Sequence, residues 1–173
     1  KLMALAPFDE QEYKDDLGVK ELWGEKGYST NERTGIRPTL ELNGIWGGYI
    51  GEGAKTVLPS KAFAKISCRL VPNQDLERIV KCITEFLKKE APKGIEISVT
   101  HDHGGKPVRT SSHTKLARLC SDAYADVFEK PCQKMLCGAT VPLVADLRDA
   151  VGGEVAMVGV CLDSDDIHAP NER

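Results

Sequence analysis

Ala62-Phe63-Ala64-Lys65-Ile66-Ser67-Cys68-Arg69-Leu70 is followed, after Val71-Pro72-Asn73, by Leu76, Ile79, Val80, Ile83, Phe86 and Leu87. Within this stretch the apolar period changes from two to 3.6. The first part alternates with Lys65, Ser67 and Arg69 and predicts a half-buried strand. The second repeats at i, i+3, i+4, i+7, i+10 and i+11, which puts one apolar stripe on a helix that Pro92 and Gly94 terminate. Asn73 is the expected N-cap. A strand feeding an amphipathic helix is the unit around which the remaining segments are placed.

Upstream, Thr39-Leu40-Glu41-Leu42-Asn43-Gly44-Ile45-Trp46 alternates like a second strand. A glycine-rich connection runs from it to Pro59. Downstream, Ile95-Glu96-Ile97-Ser98-Val99-Thr100-His101 alternates and predicts a third strand, which leads into His101-Asp102-His103-Gly104-Gly105. Near the beginning, Asp9 with Glu10 and Glu12 behind it marks a short helix ending near Gly18, and residues 24 to 37 read as loop. From Ser111 onward Leu116, Leu119, Cys120, Ala123, Tyr124, Val127 and Phe128 define another amphipathic helix, stopped by Pro131. Thr140 caps a further helix through about Val151, which Gly152-Gly153 ends. Residues 154 to 161 form a nearly continuous apolar run, as in a strand buried in a parallel sheet.

The chain has 173 residues, 41% hydrophobic and 28% charged, with a net charge of -3. This is ordinary globular composition, enough for one domain or one and a half. Scattered Lys and Arg form no basic stripe, which argues against nucleic acid or an anionic membrane as partner. No apolar run approaches the roughly 20 residues needed to cross a bilayer, and the first residues are too short for a signal peptide, so a cytoplasmic protein is expected. Six irregularly spaced cysteines without a Cys-x-x-Cys read as reduced thiols packed in apolar segments.

Three places could carry chemistry. Gly48 and Gly53 have the spacing of a phosphate loop, but Ala54 displaces Lys55 from its required place and a strand follows instead of a helix, so the stretch reads as a link. The loop Asp163-Ser164-Asp165-Asp166-Ile167-His168 follows an apolar run, and an imidazole beside carboxylates suits zinc, although an acidic surface turn has the same composition. His101 and His103 flank Asp102 at the end of the third predicted strand and would point to one face. Arg69 is placed to pair with an acid or to clamp a substrate carboxylate through its planar fork.

Taken together, Arg37-Pro38-Thr39-Leu40-Glu41-Leu42-Asn43-Gly44-Ile45-Trp46-Gly47-Gly48, Gly51-Glu52-Gly53-Ala54-Lys55-Thr56-Val57-Leu58-Pro59 and Lys65-Ile66-Ser67-Cys68-Arg69-Leu70-Val71-Pro72-Asn73-Gln74 resemble the lid or dimerisation domain of the cocatalytic-zinc peptidase and deacylase family. That family includes carnosine-type cytosolic dipeptidases, aminoacylases, acetylornithine and succinyl-diaminopimelate deacylases and glutamate carboxypeptidases. The resemblance covers essentially the whole chain and is closest to the dipeptidase branch. It implies an α/β (α+β) fold: a lid over residues 1 to 107, with an antiparallel sheet packed by two helices, then a helix-helix-strand remnant of the zinc-binding catalytic domain over residues 108 to 173.

The resemblance also implies site residues. Asp165-Asp166-Ile167-His168-Ala169-Pro170-Asn171-Glu172 looks like the family's last metal motif, which makes His168 a zinc ligand. Arg69 and His103 match lid residues that bind the substrate's carboxylate or scissile region, Arg69 serving the partner subunit's active site. Gly138-Ala139-Thr140-Val141-Pro142 matches a loop whose Ser or Thr, here Thr140, touches substrate, although Cys137 stands where some dipeptidases have an acid. The other zinc ligands, the bridging Asp and the general-base Glu match nothing in residues 1 to 37. The expectation is therefore an excised segment with no catalytic acid or base of its own, inactive alone and holding zinc weakly. The whole enzyme would be a homodimer with two zinc ions per site, manganese or cobalt being alternatives, cleaving dipeptides or N-acyl amino acids. The alternative is a non-catalytic dimerisation or binding module.

Overall fold

The computed structural model describes residues 8–138, 141–162, 165, 167 and 169–171. In chain order the elements are α1 (Glu10–Leu17), α2 (Thr30–Gly35), β1 (Thr39–Gly47), β2 (Ala62–Arg69), α3 (Leu76–Glu90), α4 (Lys115–Phe128) and α5 (Pro142–Val151). The fold is mixed α and β around a two-stranded antiparallel sheet. The described residues fall into two compact units. One runs through Val108 and takes in Lys134–Asp146; the other comprises Arg109–Gln133 and the chain from Leu147 onward.

Local signals explain most helix ends. Asp9 caps α1, its Oδ1 accepting from the backbone N–H of Gln11 at 2.8 Å and of Glu12 at 3.1 Å, and Gly18 closes the helix in the left-handed conformation at φ 65°. Helix α2 lies in the stretch expected to be loop. It is made by a capping box: Ser29 Oγ accepts from Glu32 N–H at 3.3 Å while Glu32 Oε2 accepts from Ser29 N–H at 2.8 Å, satisfying two otherwise orphaned donors. Helix α3 is capped by Asp75 and not by Asn73. Asp75 Oδ1 accepts from Arg78 N–H at 2.8 Å, and Asn73 instead turns the chain at φ 72°. Gln74 Oε1 accepts from Val71 N–H at 2.9 Å, which folds this turn back on itself.

The strands β1 and β2 pair in register from Thr39↔Arg69 to Gly47↔Ala62, with a bulge between Leu42 and Gly44 that leaves Asn43 unpaired. On one face lie Leu40, Leu42 and Ile45 with Ala64, Ile66 and Cys68; on the other lie Thr39, Glu41 and Trp46 with Phe63, Lys65, Ser67 and Arg69. The Trp46 and Phe63 rings stack across the second face, 5.3 Å between centroids and 11° from parallel. Residues 48–61 form the connection anticipated from the glycines, with Tyr49 Oη donating to Glu52 O at 2.9 Å.

On one face of the sheet Leu40, Leu42 and Ile45 remain 56%, 58% and 70% exposed. One expectation is corrected. Residues 95–101 and 154–161 form no strand. Their alternating or continuous apolar residues specify which faces want burial, but a strand also needs a neighbouring backbone to bond, and no described residue supplies one.

In the second unit, α4 is capped by Thr114, whose Oγ1 accepts from Ala117 N–H at 3.1 Å, and ends at Glu129 in the left-handed conformation. Its first turn has no acid, and Glu154 Oε2 supplies the negative charge there by accepting from Leu116 N–H at 2.9 Å. Gly152, at φ 64°, terminates α5 and donates to Arg148 O at 2.9 Å. The expected Thr140 cap lies outside the described residues. All six cysteines are free; Cys82, Cys137 and Cys161 are exposed and the other three half-buried, so none is a core thiol.

Candidate functional site

The candidate residues enter from different elements. Arg69 ends β2 and lies opposite Thr39, on the face shared with Glu41 and Ser67. Its side chain is exposed and forms no ion pair among the described residues. Beside it, Thr39 Oγ1 and Glu41 Oε2 are buried without a hydrogen-bond partner among the described residues. Oxygens desolvated without a donor are costly, so this end of the sheet combines an open guanidinium fork with unsatisfied acceptors. On the opposite face, burial and then the Glu41 carboxylate push the Cys68 thiol above its ordinary range, which disfavours its reactive thiolate form.

His103 follows the segment expected as a third strand. Its Nδ1 lies 3.2 Å from Asp102 Oδ2, but the two side chains are 91% and 97% exposed, so the pairing is a weak solvent contact. Of the two glycines after it, Gly104 is closely approached from within the chain: a Cβ there would meet Leu76 Cδ1 at 2.7 Å. The loop thereby rests on the first residue of α3. Arg69 and His103 both belong to the first unit. His168 and Thr140 lie outside the described residues.

The described residues do not fit a metal centre by themselves. No group of three or more His, Cys, Asp and Glu able to hold an ion is found among them, and a tight zinc site needs at least three protein ligands. In the acidic loop after Cys161, Asp165 is engaged with the backbone: its Oδ2 accepts from Leu162 N–H at 2.7 Å and its own N–H donates to Leu162 O at 3.1 Å.

Two arrangements near the site residues were not read from the sequence. Arg37 grips Glu25 through both arms of its fork, at 2.8 Å each, while its guanidinium lies 4.3 Å from the centre of the Tyr28 ring. The hydrogen bond from Arg37 holds the Glu25 carboxyl below its usual range, and Glu25 in turn raises Arg37. This bidentate pair fixes the chain just ahead of β1. Further on, Gly138 N–H donates to Thr34 O at 3.1 Å. Contacts between residues so far apart in sequence leave no periodic trace; the one available clue was Ser29-x-x-Glu32, a capping-box pattern.

Against this geometry, residues 8–95 match the family model described as the peptidase dimerisation domain of the M20 peptidases. The class is thus a dimerisation domain of a peptidase with further chain behind it. The chain belongs to the M20 peptidase family. Among curated relatives, the Cys-Gly metallodipeptidase of Saccharomyces cerevisiae is 26% identical over 98% of this chain and 38% of its own length. The human Beta-Ala-His dipeptidase is 26% identical over 79% of this chain and 27% of its length. Among solved structures, the M20 family metallo-carboxypeptidase Sso-CP2 from Sulfolobus solfataricus superposes with a TM-score of 0.83 at 29% identity, covering 99% of this chain and 39% of that one. Human carnosine dipeptidase 1 shares the fold, with a TM-score of 0.70 at 22% identity over 87% of this chain and 33% of that one. The chain spans less than two-fifths of the length of these relatives. No helix among the described residues is long and apolar enough to cross a membrane.

Proposed function

We propose that this chain is part of a metal-dependent hydrolase that cleaves the amide bond of dipeptides or N-acyl amino acids and dimerises through residues 8–95. The observation that carries the reading is the dimerisation-domain match, together with relatives over most of the chain that are dipeptidases and a carboxypeptidase. In this reading Arg69 offers its open fork to a substrate carboxylate, in the partner subunit's site. His103, exposed and free to turn, and Thr140 bind the substrate near the scissile group. His168 is one zinc ligand, and the remaining ligands and the general base are supplied from outside this chain. Residues 1 to 107 act as the lid, and residues 108 to 173 belong to the catalytic domain. The enzyme works in the cytoplasm, with zinc and with manganese or cobalt as alternatives.

The chain by itself is proposed to be inactive, because this reading takes the remaining zinc ligands and the general base from outside it. Hydrolysis of a dipeptide and N-acyl amino acid panel by the enzyme containing this chain, with zinc or manganese added, tests the proposal. Turnover that falls when Arg69 is replaced by Gln is the expected result. Absence of turnover after metal loading, or turnover indifferent to Arg69→Gln, defeats it, and hydrolysis by the 173-residue chain alone refutes the claim of inactivity.

A further inference from the structure

We propose that the C-terminal turn of α2 seats the chain at Gly138, and that Gly138 is a positioning residue for substrate binding two residues further on. The proposal rests on the reading of Thr140 as a substrate-binding residue and adds what holds it. Lys134–Asp146 is flanked in sequence by residues of the second unit yet belongs to the first. Within that unit Gly138 N–H donates to Thr34 O at 3.1 Å.

That carbonyl is one of the last in α2, which has no following turn to donate to it. The chain at 138 therefore completes the hydrogen bonding of a helix more than a hundred residues earlier. The approach leaves no space for a side chain: a Cβ on Gly138 would collide with Thr34 O and lie 3.7 Å from the Gly35 carbonyl carbon. The requirement for glycine here is set by a neighbouring backbone that cannot swing aside as a flexible side chain could. The other half of the device is the capping box of Ser29 and Glu32, which holds together a helix of only six residues. A helix that short is marginal alone, so its cap and the bond from Gly138 support each other, and loosening either loosens the loop two residues before Thr140.

The test uses the enzyme containing this chain and two variants. Ser29→Ala removes the cap at a distance from the loop, and amide hydrogen exchange of peptides covering residues 134–146 is expected to quicken about fivefold, in step with those covering α2. Peptides from 109–133 serve as the control for overall folding. Gly138→Ala is expected to raise KM for a dipeptide substrate about tenfold while kcat changes much less, because a displaced loop weakens substrate holding before it alters the chemistry. Exchange at 134–146 that stays put while α2 loosens overturns the proposal. So does an active Gly138→Ala enzyme with unchanged KM. If the unmodified enzyme cleaves no substrate, the functional reading has failed, and the exchange measurement still decides whether α2 seats the loop.

Discussion

Replacing Asp75 by Ala removes the cap of α3 without touching its apolar stripe. Asp75 Oδ1 holds Arg78 N–H at 2.8 Å, and its carboxylate sits at the positive end of a 15-residue helix. Loss of such a cap costs about 1 kcal/mol, and loss of the charge at the helix N-terminus about 0.5 kcal/mol more. With a urea dependence of about 2 kcal/mol per molar, the unfolding midpoint of the chain should fall by about 0.5 to 0.8 M with the slope unchanged. Asp75→Asn, which keeps the acceptor, should lose well under half of that. Asn73 provides the discriminating comparison, since it occupies positive φ and caps nothing. Asn73→Gly should be neutral or slightly stabilising, whereas Asn73→Ala should cost about 1 kcal/mol because alanine resists the left-handed region. Far-UV circular dichroism in urea reads all four variants. A midpoint unchanged in Asp75→Ala, or a loss in Asn73→Gly as large as that in Asp75→Ala, would show that the helix starts differently from the structure.

Two further outcomes concern titrating groups. Because Arg37 lowers the folded-state value of Glu25, the stability this pair contributes is present above the ordinary glutamate value of 4.5 and is lost as pH falls through the depressed one; a carboxyl NMR titration should therefore place Glu25 lower in the native protein than in Arg37→Gln, and equal values would refute the bidentate grip. Burial raises the Cys68 thiol, so mass-spectrometric mapping of alkylation at mildly alkaline pH should find Cys68 modified more slowly than the exposed Cys82 and Cys161, and equal rates would contradict its placement.

The sequence carried local information well and partnership poorly. Asp9 and Gly18, the stripe from Leu76 to Leu87 and the alternation of both strands are short-range patterns, and each appears in the structure within a residue or two. Helix α2 had its signal in Ser29 and Glu32, but six residues rich in Thr, Asn and Gly offered no apolar period to support it. Residues 95–101 alternate as cleanly as β2 does, and only β2 has a bonded neighbour. Alternation states a demand for burial; it says nothing of who answers it. The candidate site follows the same division. Arg69 and His103 were legible as residue types at the ends of predicted strands, yet their exposure was not. His168 and Thr140 were singled out through family resemblance, and the Glu25–Arg37 grip and the Gly138–Thr34 bond join residues whose spacing has no period to detect.

The bulge at Asn43 works as a dislocation in the sheet's odd-even order. Ahead of it β1 sends its even-numbered side chains, Leu40 and Leu42, to the face of Ile66; beyond it the odd-numbered Ile45 arrives on that same face, and Trp46 is delivered across from Phe63. One unpaired residue thus reconciles two halves of a strand whose apolar positions are out of step. Deleting Asn43 would remove only the irregularity, making Leu42↔Ile66 and Gly44↔Lys65 consecutive pairs and leaving every side chain on its present face. Pairing Asn43 regularly would instead turn one half over, placing Trp46 on the aliphatic face or Leu40 and Leu42 on the face of Arg69, so at this point one residue's exclusion from the ladder, more than its identity, determines which surface the domain presents.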